Sequence, residues 1–160
     1  MTISNVELQE KCDKKGLQLD AIIMANELSA IVYKKTLNII INLDSRDGSG
    51  GTHWVSLCVR NKEAFYFDSY GATCDKYVVL YCKKNRLTLG INTYIIQHLT
   101  SVECGLFCYG LILFLRKERL VKGIEREFPK SRFMELCNDY INMFDHDTEK
   151  NDVILFNYIR

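Results

Sequence analysis

The spacing of apolar and polar residues in the first part of the chain predicts two helices, a strand and a loop. Residues 4–7 form a capping box, S-x-x-E, which predicts a helix that ends at about Lys15. Residues 19–33 carry apolar side chains at helical spacing and predict a second helix. The short β-branched run at residues 37–43 predicts a buried strand, and the glycine-rich residues 44–51 predict a loop.

The middle of the chain predicts three more strands. Residues 53–59 and 64–68 form two strand-like segments, and a polar turn at residues 61–62 separates them. Residues 93–97, with the sequence TYIIQ, predict another strand. The first two strands are close enough in sequence to form a hairpin.

Three further helices are predicted around and after these strands. Thr73 or Asp75 can cap a helix that runs to about Lys84. Residues 104–119 form a helix that is apolar almost all round in its first three turns, which predicts that this part is buried. A last helix is predicted at residues 131–140, with the serine at position 131 as its cap.

The order of these elements predicts an α+β fold in a single domain that covers residues 1–160, because helices come first and last with strands between. The composition, 48% hydrophobic and 26% charged, excludes a disordered chain. The formal net charge of +1 argues against a dedicated nucleic-acid binder, which would usually be strongly basic.

Cysteine usage and hydropathy predict an intracellular protein. Residues 1–15 lack the apolar segment of a signal peptide, so we expect no secretion. The longest apolar run, residues 104–115, is shorter than the ~20 residues that cross a membrane. The seven cysteines are then expected to be reduced thiols. They contain no C-x-x-C pair, so we expect no metal site.

The predicted hairpin brings a histidine near a carboxylate. With a two-residue turn, the numbers of facing residues sum to 123, so His53 faces Tyr70 and Asp68 is its diagonal neighbour on the same face. A sum of 121 would place His53 and Asp68 directly opposite, whereas an even sum would separate them onto two faces. On one face, the carboxylate could orient the imidazole and stabilise its charged form.

A cysteine and a glutamine have the positions that acyl transfer needs. Cys104 begins the predicted buried helix, where the partial positive charge of the N-terminus favours a thiolate. An adjacent His53 would complete the thiolate–imidazolium pair of a cysteine nucleophile. Gln97 can supply a side-chain N–H to a developing oxyanion, beside the Cys104 main-chain N–H. His98 is a rival base on proximity alone.

Three segments carry these residues and together resemble a known family. GTHWV (51–55), YFDSYG (66–71) and IIQHLTSVECGLFC (95–108) are similar to the His-Trp, Asp/Glu, Gln and Cys-Gly blocks of the adenovirus-type maturation protease, adenain. That family shares a clan with the SUMO-specific proteases. The amino-acid sequence around the first two segments resembles even more closely the small proteases of virophages and Polinton/Maverick elements.

The resemblance implies a cysteine endopeptidase with a small mixed sheet flanked by helices. Cys104 would attack the scissile carbonyl, and His53 would take its proton. Asp68, where adenain has Glu, would orient His53. Gln97 and the Cys104 N–H would hold the oxyanion.

Two residues near the histidine have alternative roles. The resemblance implies that Trp54 packs near the catalytic centre or covers the substrate cleft, and the alternative is a core aromatic. Gly51 would allow close backbone approach, either to the substrate or merely to turn the loop. Both alternatives stay open at this point.

The resemblance also implies a biological role. The enzyme would cut capsid and other virion precursors after small residues, often glycine, in the virus factory of an infected cell and in the virion. No cofactor or metal is needed, and we expect a monomer acting on protein substrates. Some relatives use an activating peptide or DNA, and the charge balance gives little support for DNA. The alternatives are a SUMO- or ubiquitin-type deconjugating isopeptidase, an acetyltransferase with a related triad, and a non-catalytic interaction domain, which the complete set of four residues disfavours.

Overall fold

A five-stranded mixed sheet forms the centre of the computed structural model, which describes residues 2–43, 53–121 and 132–160. The strands follow the order β1-β2-β3-β4-β5. The two outer pairs are parallel and the two inner pairs are antiparallel. The strands are β1 (Ala21–Met24), β2 (Thr36–Leu43), β3 (His53–Arg60), β4 (Glu63–Phe67) and β5 (Thr88–Ile91).

Helices cover both faces of this sheet. Within the described residues they are α1 (Asn5–Lys14), α2 (Lys76–Lys84), α3 (Cys104–Val121), α4 (Phe133–Ile141) and α5 (Asn151–Ile159). Two 3₁₀ helices, Ala25–Ala30 and Thr148–Lys150, complete the set. Helix α3 packs against β3 and against α1, α4 and α5. The predicted α+β class is confirmed.

Strand β3 lies in the middle of the sheet and is buried on both faces. Trp54 and Cys58 point into the core that contains α3, whereas Val55 and Leu57 point into a second core beneath α2 and the first 3₁₀ helix. A strand between two cores is apolar on both faces, and residues 54–59 (WVSLCV) are apolar at every position except Ser56. The beginning of β3 therefore lies at the edge of the core that α3 enters.

The elements that depend on local sequence form where the pattern predicts them. Ser4 and Glu7 make the predicted capping box at the start of α1. The β3–β4 hairpin has the register sum of 123, since Ser56 faces Phe67. Its turn residue Asn61 has a φ of 56°, a left-handed conformation that asparagine tolerates better than most residues. At α2 the capping residue is Asp75, whose carboxylate accepts a hydrogen bond from the Tyr77 N–H.

The predicted helix at residues 19–33 is wrong. This segment forms β1 and the 3₁₀ helix, and β1 pairs in parallel with β2 so that Ile22 faces Ile40 and Ile23 faces Ile41. Apolar spacing alone cannot distinguish a short buried strand from a helical turn. In the structure, residues 21–24 form a strand because they pair with β2.

The predicted strand at residues 93–97 is also wrong. The last strand among the described residues is β5, at Thr88–Ile91, and the chain leaves the sheet at Asn92. The Asn92 side chain hydrogen-bonds the main chain of Asp68, in the position where a continued strand would have paired. The predicted loop at residues 44–51 and the capping Ser131 lie outside the described residues.

Candidate active site

His53 and Asp68 lie together at the open end of the hairpin. His53 is the first residue of β3, and Asp68 follows the last residue of β4. The His53 Nε2 and Asp68 Oδ1 atoms are 2.7 Å apart, and Asp68 is 2% exposed. The hairpin register predicted from the sequence places both side chains on one face.

Three hydrogen bonds hold Asp68 in place. The Tyr70 main-chain N–H donates to Asp68 Oδ1 at 2.8 Å. The buried Asn92 side chain accepts a hydrogen bond from the Asp68 N–H at 2.9 Å and donates one to the Asp68 carbonyl at 2.5 Å. Sequence reasoning missed Asn92, because its role depends on the pairing of β5 with β4.

Cys104 is the first residue of α3, and its sulfur lies against the beginning of β3. The Trp54 main-chain N–H points to Cys104 Sγ at 3.4 Å, and Cys104 as a residue is 4% exposed. Gly105 lets the helix begin this close, because a Cβ there would lie 3.1 Å from Trp54 Cδ1 and 2.4 Å from Ile3 Cγ2. The nucleophile candidate is therefore fixed beside the residue that follows His53.

The His53 imidazole interacts with both Asp68 and Cys104. Burial by itself would lower the pKa of His53, but hydrogen bonds to Asp68 and Cys104 and the charges on both partners raise it to about 9. Because Nε2 is paired with Asp68, Nδ1 is the ring nitrogen left for the thiol. The site thus favours an imidazolium next to a sulfur at a helix N-terminus, which is the arrangement of an activated cysteine.

The other six cysteines lie in surroundings that keep them protonated. Burial raises the pKa of all six thiols, to about 11 for Cys12, Cys58 and Cys82, to about 12 for Cys74, and well above the ordinary value for Cys108 and Cys137. Cys58 and Cys108 are fully buried, as predicted for core residues.

We expect alkylation at about pH 6 to label Cys104 ahead of the other six cysteines, because only the thiolate reacts and His53 can hold its positive charge at this pH. The measurement is peptide mapping after brief exposure to iodoacetamide. Cys74 is the internal control, since it is more exposed than Cys104 but has a pKa of about 12. The His53→Ala variant should lose the selectivity, and equal labelling of all seven thiols in the unmodified chain would contradict the activated pair.

The Gln97 side chain is buried and is fixed at both ends of its amide. Gln97 Nε2 donates to the Ser101 carbonyl at 2.9 Å, and the Ser69 hydroxyl donates to Gln97 Oε1 at 2.5 Å. Gly71, with a φ of 62°, allows the segment after β4 to approach the main chain of Tyr94 closely. A Cβ at position 71 would lie 2.8 Å from the Tyr94 carbonyl carbon. Gln97 is therefore held between the segment after β4 and the loop that enters α3.

The Trp54 side chain, which is 4% exposed, both packs in the core and lines a cavity. Its indole N–H donates to the Ile3 carbonyl at 3.0 Å. It also lines a cavity of about 480 Å³, together with residues 2–5, residues 22–24, Glu27 and Asn42. The structure therefore shows the core packing, while the predicted role in substrate binding stays a prediction. Gly51 lies outside the described residues.

His98 lacks the setting of a general base. Its Nδ1 atom pairs with the Thr100 hydroxyl at 2.8 Å rather than with a carboxylate. Across residues 2–43, 53–121 and 132–160, no group of three or more His, Cys, Asp or Glu side chains is arranged to hold a metal ion. Across those same ranges, no helix has the length and apolar character needed to cross a membrane.

Comparisons with known proteins find likenesses only among solved structures. No family model matches the chain, and no curated protein matches it. The ASFV pS273R protease is similar over 90% of this chain and 67% of its own, with 15% identity and a TM-score of 0.49. A selenomethionine form of that protease matches over 69% of this chain and 44% of its own, with 18% identity and a TM-score of 0.39. AvrA, solved with IP6 and CoA, is similar over 94% of this chain and 75% of its own, with 19% identity and a TM-score of 0.43.

Proposed function

We propose that this chain is a cysteine endopeptidase with Cys104 as its nucleophile. The observation that carries the proposal is the His53 imidazole, which pairs with the buried Asp68 carboxylate and belongs to the residue directly before Trp54, whose main-chain N–H points to Cys104 Sγ at the start of a buried helix. Such an arrangement activates a thiol, and a 2.7 Å hydrogen bond to Asp68 fixes the ring that does so.

The proposed reaction begins from the imidazolium–thiolate pair. Cys104 Sγ attacks the scissile carbonyl carbon, and the carbonyl oxygen becomes an oxyanion that accepts hydrogen bonds from the Gln97 amide and the Cys104 main-chain N–H. The intermediate collapses to a thioester as the His53 Nδ1 proton passes to the leaving amine. His53 then takes a proton from water, which attacks the thioester and releases the thiolate and a carboxylic acid product that loses its proton to solvent.

The substrate we propose is an extended peptide segment of a virion precursor, cut after glycine or another small residue. The sequence resemblance to the adenain-type and virophage proteases supports this substrate class. The enzyme would act as a single-domain monomer in infected cells and in virions, with an activating peptide as a candidate partner.

An isopeptidase would differ from an endopeptidase in the source of its substrate-binding energy. A deconjugating enzyme binds the folded tag, so the tag increases its kcat/KM. We expect a short peptide with an apolar residue, any residue and Gly-Gly before the cut to be cleaved as well as a SUMO or ubiquitin fusion with the same cleavage sequence. The measurement is kcat/KM for each substrate. A gain above roughly 100-fold for the fusion, about 2.7 kcal/mol of extra transition-state binding, would favour the isopeptidase.

A third arm of the same experiment tests the acetyltransferase alternative. Labelled acetyl-CoA is incubated with the enzyme and a lysine-containing protein substrate, and transfer of the label is followed. Label on the substrate without cleavage of any peptide would overturn the endopeptidase proposal.

A further inference from the structure

Ser69 is a buried hydroxyl that has no part in the reaction as proposed above. It follows Asp68 directly and is fully buried. Its Oγ atom donates to Gln97 Oε1 at 2.5 Å, and its carbonyl oxygen accepts hydrogen bonds from the Ile96 N–H at 2.9 Å and the Gln97 N–H at 3.1 Å. Ser69 therefore contacts Gln97 through both its side chain and its main chain.

The orientation of the Gln97 amide decides whether it can bind an oxyanion. The two ends of a glutamine amide are nearly identical in shape, but only the nitrogen end donates hydrogen bonds. The Ser101 carbonyl can only accept a hydrogen bond, so it selects the nitrogen end. The Ser69 hydroxyl then donates to the oxygen end and restricts rotation of the amide. A hydrogen bond received at the amide oxygen also polarises the group and strengthens its N–H donors.

We infer that Ser69 is a positioning residue that aims the Gln97 amide at the oxyanion. The inference rests on the endopeptidase function proposed above. It also makes one short segment responsible for two parts of the site, because Asp68 orients His53 and the next residue orients Gln97. A displacement of this segment would disturb the general base and the oxyanion donor together.

Replacing Ser69 by alanine tests the inference, because it removes the hydroxyl while the main-chain hydrogen bonds of Ser69 remain possible. We expect the kcat for peptide hydrolysis to fall roughly tenfold, with KM and the rate of Cys104 alkylation nearly unchanged. Ser69→Cys, which keeps a weak donor in a similar volume, should recover part of the activity. The control is Ser56→Ala, which removes an equally buried hydroxyl that has no hydrogen-bond partner among the described residues and should change kcat little.

A double-mutant cycle distinguishes positioning from general stability. In the Gln97→Ala background, Ser69→Ala should lower kcat by less than about twofold, because the amide that Ser69 orients is gone. A tenfold loss in both backgrounds would overturn the inference, and so would a loss of Cys104 alkylation together with turnover.

A second measurement needs no peptidase activity. The Gln97 side-chain N–H signals, identified by their absence from the Gln97→Ala spectrum, should exchange with solvent roughly tenfold faster in Ser69→Ala than in the unmodified chain. Unchanged exchange would overturn the positioning role. Failure of the unmodified enzyme to cleave any peptide, with faster exchange in Ser69→Ala, would instead overturn the endopeptidase function and leave the role of Ser69 in orienting the amide supported.

Discussion

Peptide hydrolysis is expected to fall by roughly 10⁴-fold or more in kcat/KM when Cys104 is replaced by alanine. The variant keeps the buried Asp68–His53 pair and the Gln97 amide but has no atom that can form the thioester. Replacing Cys104 by alanine removes one sulfur atom at the start of α3, so it leaves only a small gap beside Trp54. The loss should therefore come from chemistry rather than from unfolding, and kcat/KM with the melting temperature distinguishes the two.

Cys108→Ala is the matched control for this experiment. Cys108 lies one helical turn after Cys104 on α3 and is fully buried, so its replacement creates a comparable or larger gap in the core. We expect Cys108→Ala to lower the melting temperature at least as much as Cys104→Ala while most peptide hydrolysis survives. Substantial activity in Cys104→Ala, or an equal loss in both variants, would exclude Cys104 as the nucleophile.

The parts of the site that lie close together in the sequence were predictable from it. The capping box of α1 and the β3–β4 hairpin depend on neighbouring residues, so their spacing determines them. The hairpin register alone brings His53 onto the same face as Asp68. The apolar start of α3 likewise predicts that Cys104 begins a buried helix.

The parts that depend on distant pairing were not predictable in the same way. Strands β1 and β5 are short edge strands in parallel pairs, and a parallel partner is always remote in the chain. Asn92 hydrogen-bonds the main chain of Asp68 across 24 positions, and a solitary asparagine carries no signal of such a contact. Ser69 stands inside a segment that resembles a family block, but its bond to Gln97 depends on how residues 92–97 leave the sheet.

Replacing Gln97 by alanine is expected to lower kcat by roughly 10²–10³-fold, the usual cost of losing one oxyanion donor. KM should change little, because the amide strengthens its hydrogen bond only as charge develops on the carbonyl oxygen. Alkylation of Cys104 should proceed at the normal rate, since that reaction forms no oxyanion. Gln97→Glu should be impaired at least as strongly, because a carboxylate of nearly the same shape has no N–H to donate. The measurements are steady-state kinetics and the rate of inactivation by iodoacetamide.

Gln97 is buried, so Gln97→Ala also leaves the Ser69 hydroxyl and the Ser101 carbonyl without their hydrogen-bond partner. The experiment therefore needs a control for lost folding stability. Asn38→Ala supplies that control. Asn38 is 5% exposed on β2, and its side-chain amide donates to the Gln18 carbonyl and accepts from Arg60, so its replacement removes a comparable buried amide remote in sequence from Cys104. We expect Asn38→Ala to lower the melting temperature with little change in kcat. If Gln97→Ala lowers alkylation and turnover by the same factor, Gln97 supports the shape of the site rather than the oxyanion, because a donor to the oxyanion affects only the step in which that oxyanion forms.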